Sequence, residues 1–460
     1  MQISTGTMRN VRRQAAAMEF GQMQALLAPY LRWPEHFGTT QRERIYTHAR
    51  VFWIFLAQVL AADGACACAV QSFLAWLKSA TGKDASPQTG AYCTARRRLA
   101  LEDVKGLHGP LVDAVDGASN VFWRRRVLVA DGSSLSMPDT KTNQDAWPQP
   151  TGQKPGCGFP VMRILGLFSL GTGIWRALAT GSLTTAERTL FHSLWDHFKP
   201  GDIALADTGF SSYADYVLLE RKGVDSVMLN HQRRKKGLRE MKKLGNGDRL
   251  VEWFKNKIRP NWISKQQWEQ MPETFLVREI TVHVDVPGFR TKTLVIATTL
   301  RDPIAYPAQE IAALYRRRWA IELYFRDIKI SMGVDVLRCK TPEMVEKELW
   351  MHVIAYNLVR ALMLDAAHKH HAPLDRISFK GTCNAIRNWA TVIAQAKPKH
   401  RHYFIAAMLQ SIARNRIPHR PNRSEPRAQK RRPKNYQLLT QPRRIFKETP
   451  HRGKYRPDRA

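Results

Sequence analysis

The chain has 460 residues and carries 72 Lys plus Arg against 39 Asp plus Glu, a formal net charge of +33. Such an excess selects a polyanion as partner, because each neutralised phosphate releases counterions, and it argues against a small neutral substrate. With 44% hydrophobic residues and 13 Trp the chain can bury sizeable cores, which excludes wholesale disorder and suggests about two to four domains.

The six cysteines (Cys66, Cys68, Cys93, Cys157, Cys339, Cys383) are scattered and form neither a zinc knuckle nor a secreted disulfide framework. The longest apolar run, 51–62, contains Gln58 and is short of the roughly 20 residues that a spanning helix requires. No hydrophobic segment follows the charges of residues 1–13, so no secretory signal is expected there. The expectation is a protein without a membrane segment, in a reducing cytoplasm and associated with the nucleoid.

Residues 1–125 read as a helical region, with apolar residues at the helical period over 47–60 and 70–76. Ser86 followed by Pro87 suits the start of a further helix that carries Arg96, Arg97 and Arg98. A helix, a turn and a basic helix make this region a candidate binder of DNA ends. At Arg126 the pattern changes. Val127, Leu128, Val129 and Ala130 are expected as a strand buried on both faces that ends at Asp131-Gly132. Strands over 161–170 and 175–180 follow as a hairpin joined by Gly171-Thr172-Gly173. A helix over 184–198, capped by Thr184 or Thr185 with Glu187 in its first turn, leads to a second strand, Ile203–Ala206, that terminates in Asp207.

A helix over 212–221 and a strand over 225–229 precede residues 231–292. This stretch opens with a basic run from Arg233 to Lys243, holds Trp253, Trp262 and Trp268, and alternates in period two over 275–286. It reads as a β-rich insertion. A buried strand over 293–299 is followed by a long helix from Pro307 to about Ile330, then by helices over 342–370 and 373–396. From Arg414 onward 16 Lys or Arg face three acids, a net of +13 in 47 residues that include seven prolines, so this tail is expected to be extended and mobile.

The long helix carries Tyr315, Arg318, Glu322 and Lys329, which at about 100° per residue fall within one stripe of roughly 60°, with Arg326 beside it. One carboxylate among a phenol and three cations suits phosphoryl chemistry: the acid holds a divalent metal while the cations grip phosphates. Asp131 and Asp207, each placed where a buried strand runs out, can point into one crevice. Three carboxylates are the hard oxygen ligands that Mg²⁺ prefers. Two such ions about 4 Å apart would stabilise the attacking and leaving oxygens of an in-line displacement.

The order strand, hairpin, helix, strand is joined by three motifs: Asp131-Gly132-Ser133, Asp207-Thr208-Gly209-Phe210 and Tyr315-(2)-Arg318-(3)-Glu322-(6)-Lys329. Together they resemble the DDE transposases of the insertion-sequence-four (IS-four) family, best over 126–361. The tail segment from Glu425 to Pro433 is similar to the family's C-terminal end. The resemblance implies an α/β fold: a ribonuclease H-like mixed sheet flanked by helices, with the β-rich insertion lying between Asp207 and Glu322. The domains would then be an α-helical N-terminal region (1–125), a catalytic domain (126–335) interrupted at about 231–292, C-terminal helices (336–413) and a basic Pro-rich tail (414–460).

The resemblance further implies that Asp131, Asp207 and Glu322 are the catalytic triad and the ligands of two Mg²⁺ ions, with Mn²⁺ as a substitute. Tyr315, Arg318 and Lys329 match the positions that contact transposon-end phosphates; Trp319 and Arg326 join them on the stripe geometry. The implied activity is cut-and-paste transposition of double-stranded DNA, by cleavage and strand transfer, in a homodimer assembled on the DNA. Thr208 stands where relatives often have Arg, which leaves the metal site intact and would remove one phosphate contact. Relatives that pass through a hairpinned end hold a flipped base against an aromatic residue of the insertion, for which Trp253, Trp262 and Trp268 are the candidates. The rival readings are a nuclease of the same fold that cuts without joining, and a non-catalytic DNA-binding descendant, which the presence of all three acids disfavours.

Overall fold

Alternation along Val127 to Ala130 sets the architecture. Val127 and Val129 enter one hydrophobic cluster, Leu128 and Ala130 a second one, as the period of two in a strand requires of a sheet covered on both faces. The computed structural model describes residues 21–33, 37, 45–116, 122–230, 238–283, 293–418, 438–442 and 445. Among these, nine strands form one mixed sheet: β1 (Val127–Ser136), β2 (Val161–Ser169), β3 (Trp175–Ser182), β4 (Ile203–Ala206), β5 (Asp225–Leu229), β6 (Leu238–Gly245), β7 (Asp248–Phe254), β8 (Thr274–His283) and β9 (Thr293–Thr298). Their order is β3-β2-β1-β4-β5-β9-β8-β7-β6. β2 pairs antiparallel with both β1 and β3, β4 and β5 run parallel to β1, and β9 to β6 continue the sheet in antiparallel fashion.

One face of the sheet is covered by the helices His48–Leu60, Pro342–Lys369, Phe379–Gln395 and Arg401–Arg414, the other by Glu187–Ser193 and Tyr213–Arg221. No helix among the described residues is long and apolar enough to cross a membrane. In the stretch expected as a β-rich insertion, β6, β7 and β8 pair onward from β9 and widen the same sheet. Arg278 of β8, fully buried, grips Asp248 of β7 with two bonds of 2.8 and 2.6 Å. Its other arm donates to the carbonyls of Leu300, Asp302 and Tyr306, on the segment that leads into the helix Ala308–Arg317.

Three local expectations change. β1 does not end at Asp131 but runs to Ser136, because β2 pairs with it throughout, from Leu128↔Ser169 to Ser136↔Val161. Only its other neighbour, β4, stops short. The basic helix begins at Gly90 rather than at Ser86-Pro87, and Arg96 is buried between Gln58, Cys339 and the Phe55 ring, so it supports the core instead of presenting charge. The helix expected over 184–198 is confined to Glu187–Ser193; Thr184 bonds Ser182 rather than capping it. The tail from 419 to 437 and the basic residues up to 237 lie outside the described residues.

The two edges of the sheet differ. On β3, Trp175 gives its N–H to the Asn357 amide oxygen (2.8 Å) and takes the Asn357 amide N–H on its carbonyl (2.9 Å), so a helix side chain closes the edge there. On β6 no further strand pairs among the described residues, and Lys242 and Lys243 are exposed along it.

Candidate active site

Strand parity decides where the two aspartates point. Asp131 is two residues beyond Val129 and Asp207 two beyond Leu205, and both leucine and valine belong to the cluster that packs under Ile311, Leu314, Tyr315, Ile321 and Phe325. Both carboxylates therefore emerge on the face that carries the helix of Glu322. Register places them level: Val129 pairs with Leu205 across the parallel strands, so two residues later Asp131 stands beside Asp207, just where β4 has ended. Each is held by the next amide, Asp131 Oδ1 by the Gly132 N–H (2.8 Å) and Asp207 Oδ1 by the Thr208 N–H (2.6 Å).

The helix facing them is not the straight rod that the stripe assumed. It runs as Ala308–Arg317, tightens at Arg318 and Trp319, resumes as Ala320–Arg326 and ends in a π-helical turn, Asp327–Ser331. At the tight step, N–H groups reach back only three residues, from Arg318 to Tyr315 (3.0 Å), Ile321 to Arg318 (3.1 Å) and Glu322 to Trp319 (3.3 Å). Rotation per residue rises at that step and falls in the π turn, so the four residues do not share one line.

Their contacts follow. The Arg318 guanidinium stands between two acids, with Nη1 at 3.5 Å from Asp131 Oδ2 and Nη2 at 3.7 Å from Glu322 Oε1. Tyr315 beside it is buried, and its hydroxyl is pushed up to about 12, first by burial and then by the Asp207 and Asp131 charges, with Arg318 opposing. Lys329, beyond the π turn, pairs with Asp335 at 2.9 Å. Asp131, Gly132, Ser133, Glu322, Arg326 and Lys329 line an open cavity of about 370 Å³. Asp207 is outside that lining and adjoins it through Asp131. Trp319 is exposed and borders a different cavity of about 640 Å³, with Arg317, Leu323 and Arg326.

Burial is the main cause that raises the Asp131 carboxyl above its ordinary range; the Gly132 N–H and Arg318 pull it down, and the Asp207 and Glu187 charges push it up again. Among the described residues no three His, Cys, Asp or Glu stand close enough together to hold a metal ion, and Arg318 lies between Asp131 and Glu322. The donor set nevertheless fits a hard divalent cation: three carboxylates converge on one face, and a guanidinium already serves as the cation between two of them.

The three tryptophans of residues 238–283 are occupied. Trp253 is fully buried, gives its indole N–H to Glu279 (3.2 Å) and packs on Tyr216; Trp268 is buried beside Lys255; Trp262 lies on the His192 ring at 3.8 Å. Trp253 and Trp268 are core residues, which removes them as holders of a flipped base. One further acid stands next to Asp131 in space. Glu187 lies against Gly132, and its only signal in the sequence is its place in the first turn of the helix before β4.

Comparison with known proteins places this geometry. The family model described as "Transposase DDE domain" matches residues 122–358. The chain is 28% identical, over 352 residues, to the transposase InsG for insertion sequence element IS4 of Escherichia coli (strain K12), spanning 75% of this chain and 77% of that protein. It is 37% identical over 54 residues to the transposase for insertion sequence element IS421 of Escherichia coli, 12% of this chain and 15% of that one. Among solved structures, a piggyBac transposase synaptic complex with hairpin DNA is similar over 87% of this chain and 85% of that one, at 9% identity and a TM-score of 0.41.

Proposed function

The chain belongs to the transposase DDE domain family, and from that premise we propose that Asp131, Asp207 and Glu322 are its catalytic acids and the ligands of two Mg²⁺ ions. It is the DNA transposase of an insertion sequence, an enzyme that cleaves DNA and transfers the cut strand by a DDE mechanism. In such a reaction a water oxygen replaces the 3′ oxygen at phosphorus, and the freed 3′ hydroxyl then attacks a phosphodiester of the target. Bound divalent ions supply Lewis acidity to the attacking and leaving oxygens. The protein's share is placement: strand parity and register hold two carboxylates level, and the helix brings the third opposite them.

The observation that carries the assignment is the Arg318 bridge between Asp131 and Glu322. Acids from β1 and from a helix almost 200 residues later are drawn to one cation, on the face that parity also gives to Asp207. We read β3-β2-β1-β4-β5 as a ribonuclease H-like core, since its hairpin and two parallel strands have the expected order. Around it Arg318, Lys329, Arg326, Trp319 and the hydroxyl of Tyr315 are proposed to contact the phosphates of double-stranded transposon ends, in a homodimer assembled on them. For Arg318 and Lys329 this means exchanging Asp131, Glu322 and Asp335 for phosphate oxygens.

The test is a set of single replacements, D131N, D207N and E322Q, assayed on DNA that carries the element's ends. Each is expected to lose cleavage by at least about a thousandfold, the scale of a lost electrostatic contribution to phosphoryl transfer, while still binding the ends. Cleavage retained in all three would overturn the assignment. Strand transfer from precut ends separates a transposase from a nuclease of similar fold.

A further inference from the structure

We propose that Cys66 is a site of reversible modification, taking an anionic low-molecular-weight thiol of the glutathione class in a mixed disulfide. A cavity of about 550 Å³ opens between the N-terminal helices and the segment that follows the helix of Glu322. Its volume lies in the range of small-molecule sites. Cys66, Cys93 and Cys339 line it together with Arg97, Arg338 and Lys340. Cys66 opens the helix Cys66–Thr81, Cys93 and Arg97 lie on the helix Gly90–Arg98, and Arg338, Cys339 and Lys340 are consecutive. Three separate stretches of chain therefore bring thiols and cations to one hollow.

The frame of this hollow is fixed and its charge is not compensated. Arg97, Arg338 and Lys340 are exposed and pair with no acid among the described residues. The one acid of the lining, Glu348, accepts the backbone N–H groups of Arg338 (3.0 and 2.9 Å) and Cys339 (2.9 Å), so it holds the segment rather than the cations. Its neighbour Lys347, fully buried, donates to the Arg97 carbonyl at 2.7 Å and pins the other wall. Consecutive residues of the helix Pro342–Lys369 thus anchor the backbones, while the charged ends stay free to meet an anion. The three thiols differ. Cys339 is buried and accepts from Arg96 Nη2 at 3.7 Å; burial and then the Glu348 charge raise it. Burial and then Cys66 raise Cys93 as well. Cys66 is half-buried at the cavity wall, and its sulfur accepts from Gln58 Nε2 at 3.5 Å. The plain alternative, a cysteine serving as a small apolar residue, would show no preference between disulfides of opposite charge.

The step is thiol–disulfide exchange. The Cys66 thiolate attacks one sulfur of glutathione disulfide, a protein–glutathione S–S bond forms as the old S–S bond breaks, and the departing glutathione thiolate takes up the proton that Cys66 released. The carboxylates of the bound tripeptide meet Arg97, Arg338 and Lys340.

Incubation of the full chain with glutathione disulfide, followed by peptide mass spectrometry over time, tests the proposal against an internal standard. Cys68 lies on the same helix, is exposed and is outside the cavity lining. Exposure alone makes Cys68 the faster to react. The cavity instead favours Cys66 by about tenfold, and cystamine, a cationic disulfide of the same chemistry, should reverse the order. R97Q/K340Q, which changes two exposed side chains, should remove the preference of glutathione disulfide for Cys66. Cys68 modified first by both disulfides in the wild-type chain, or a preference for Cys66 unchanged in R97Q/K340Q, would overturn the proposal.

Discussion

Arg318 has three partners within reach and one charge to share among Asp131, Glu322 and Tyr315. Its guanidinium occupies the space between two carboxylates, so cation binding and Arg318 compete there. R318Q is expected to bind Mn²⁺ more tightly, on the order of tenfold, since one positive charge about 4 Å from two ligands is gone; calorimetric titration would measure it. Weaker or equal binding would show that Arg318 does not compete. Asp327, nine residues beyond Arg318, offers a pH test. Burial is the main cause that pushes its carboxyl up to about 6, against Arg326 and Arg360. The native state holds this proton more tightly than the unfolded chain, so the stabilisation is complete below the ordinary carboxylate range and is lost as pH rises through about 6. Urea unfolding should show D327N equal to wild type near pH 4 and more stable at pH 8 by roughly 3 kcal/mol, the linkage value of about two pH units. At this scale the sequence was most informative about chemistry: spacing singled out Asp131, Glu322 and Arg318, which the fold brings together. It was silent on Glu187, whose position depends on a missing side chain at Gly132, and on the partners of Lys329, which only the π turn brings to Asp335.

Elements differ in how far their residues announce them. Strands buried on both faces are written as apolar runs, and β5 and β9 lie within a residue of their expected limits. The end of β1 was misjudged because Asp-Gly is a turn signal, whereas here β2 supplies hydrogen bonds across Gly132 and onward to Ser136. The tight step at Arg318-Trp319 and the π turn have no composition of their own, and arise where the helix must fit against β1 and the core at once. Inserted strands joined to the same sheet were also not legible, since alternation reveals a strand but not its neighbour. The joint is Arg278. Its bonds to Asp248 and to three carbonyls before the helix Ala308–Arg317 tie the added strands to the element that bears Glu322. R278A would leave Asp248 buried without its counter-charge and is expected to cost about 3–5 kcal/mol, read as a fall in the unfolding midpoint. A loss below about 1 kcal/mol would show that the joint is dispensable.

At the scale of the molecule, the +33 is not a uniform coat. Arg96, Arg278 and Lys347 are buried and spend their donors on Gln58, Asp248 and the Arg97 carbonyl, so part of the basic excess is internal scaffolding. The sheet joins everything else: two cores meet across it, and the site lies where β4 stops and β1 continues. Its margins have a consequence for solubility. A long strand with unpaired N–H and C=O groups is a template for another chain, and proteins commonly blunt such strands with lysine. The β3 margin is closed at Trp175 by Asn357, while Lys242 and Lys243 stand exposed along β6. Replacing both, as K242V/K243V, should leave the fold intact and produce concentration-dependent association visible by light scattering. A chain that stayed monodisperse would show that the lysines are not needed there. The same positive charges that draw the protein to a nucleic acid would then also be what keeps two copies from zipping together into an aggregate.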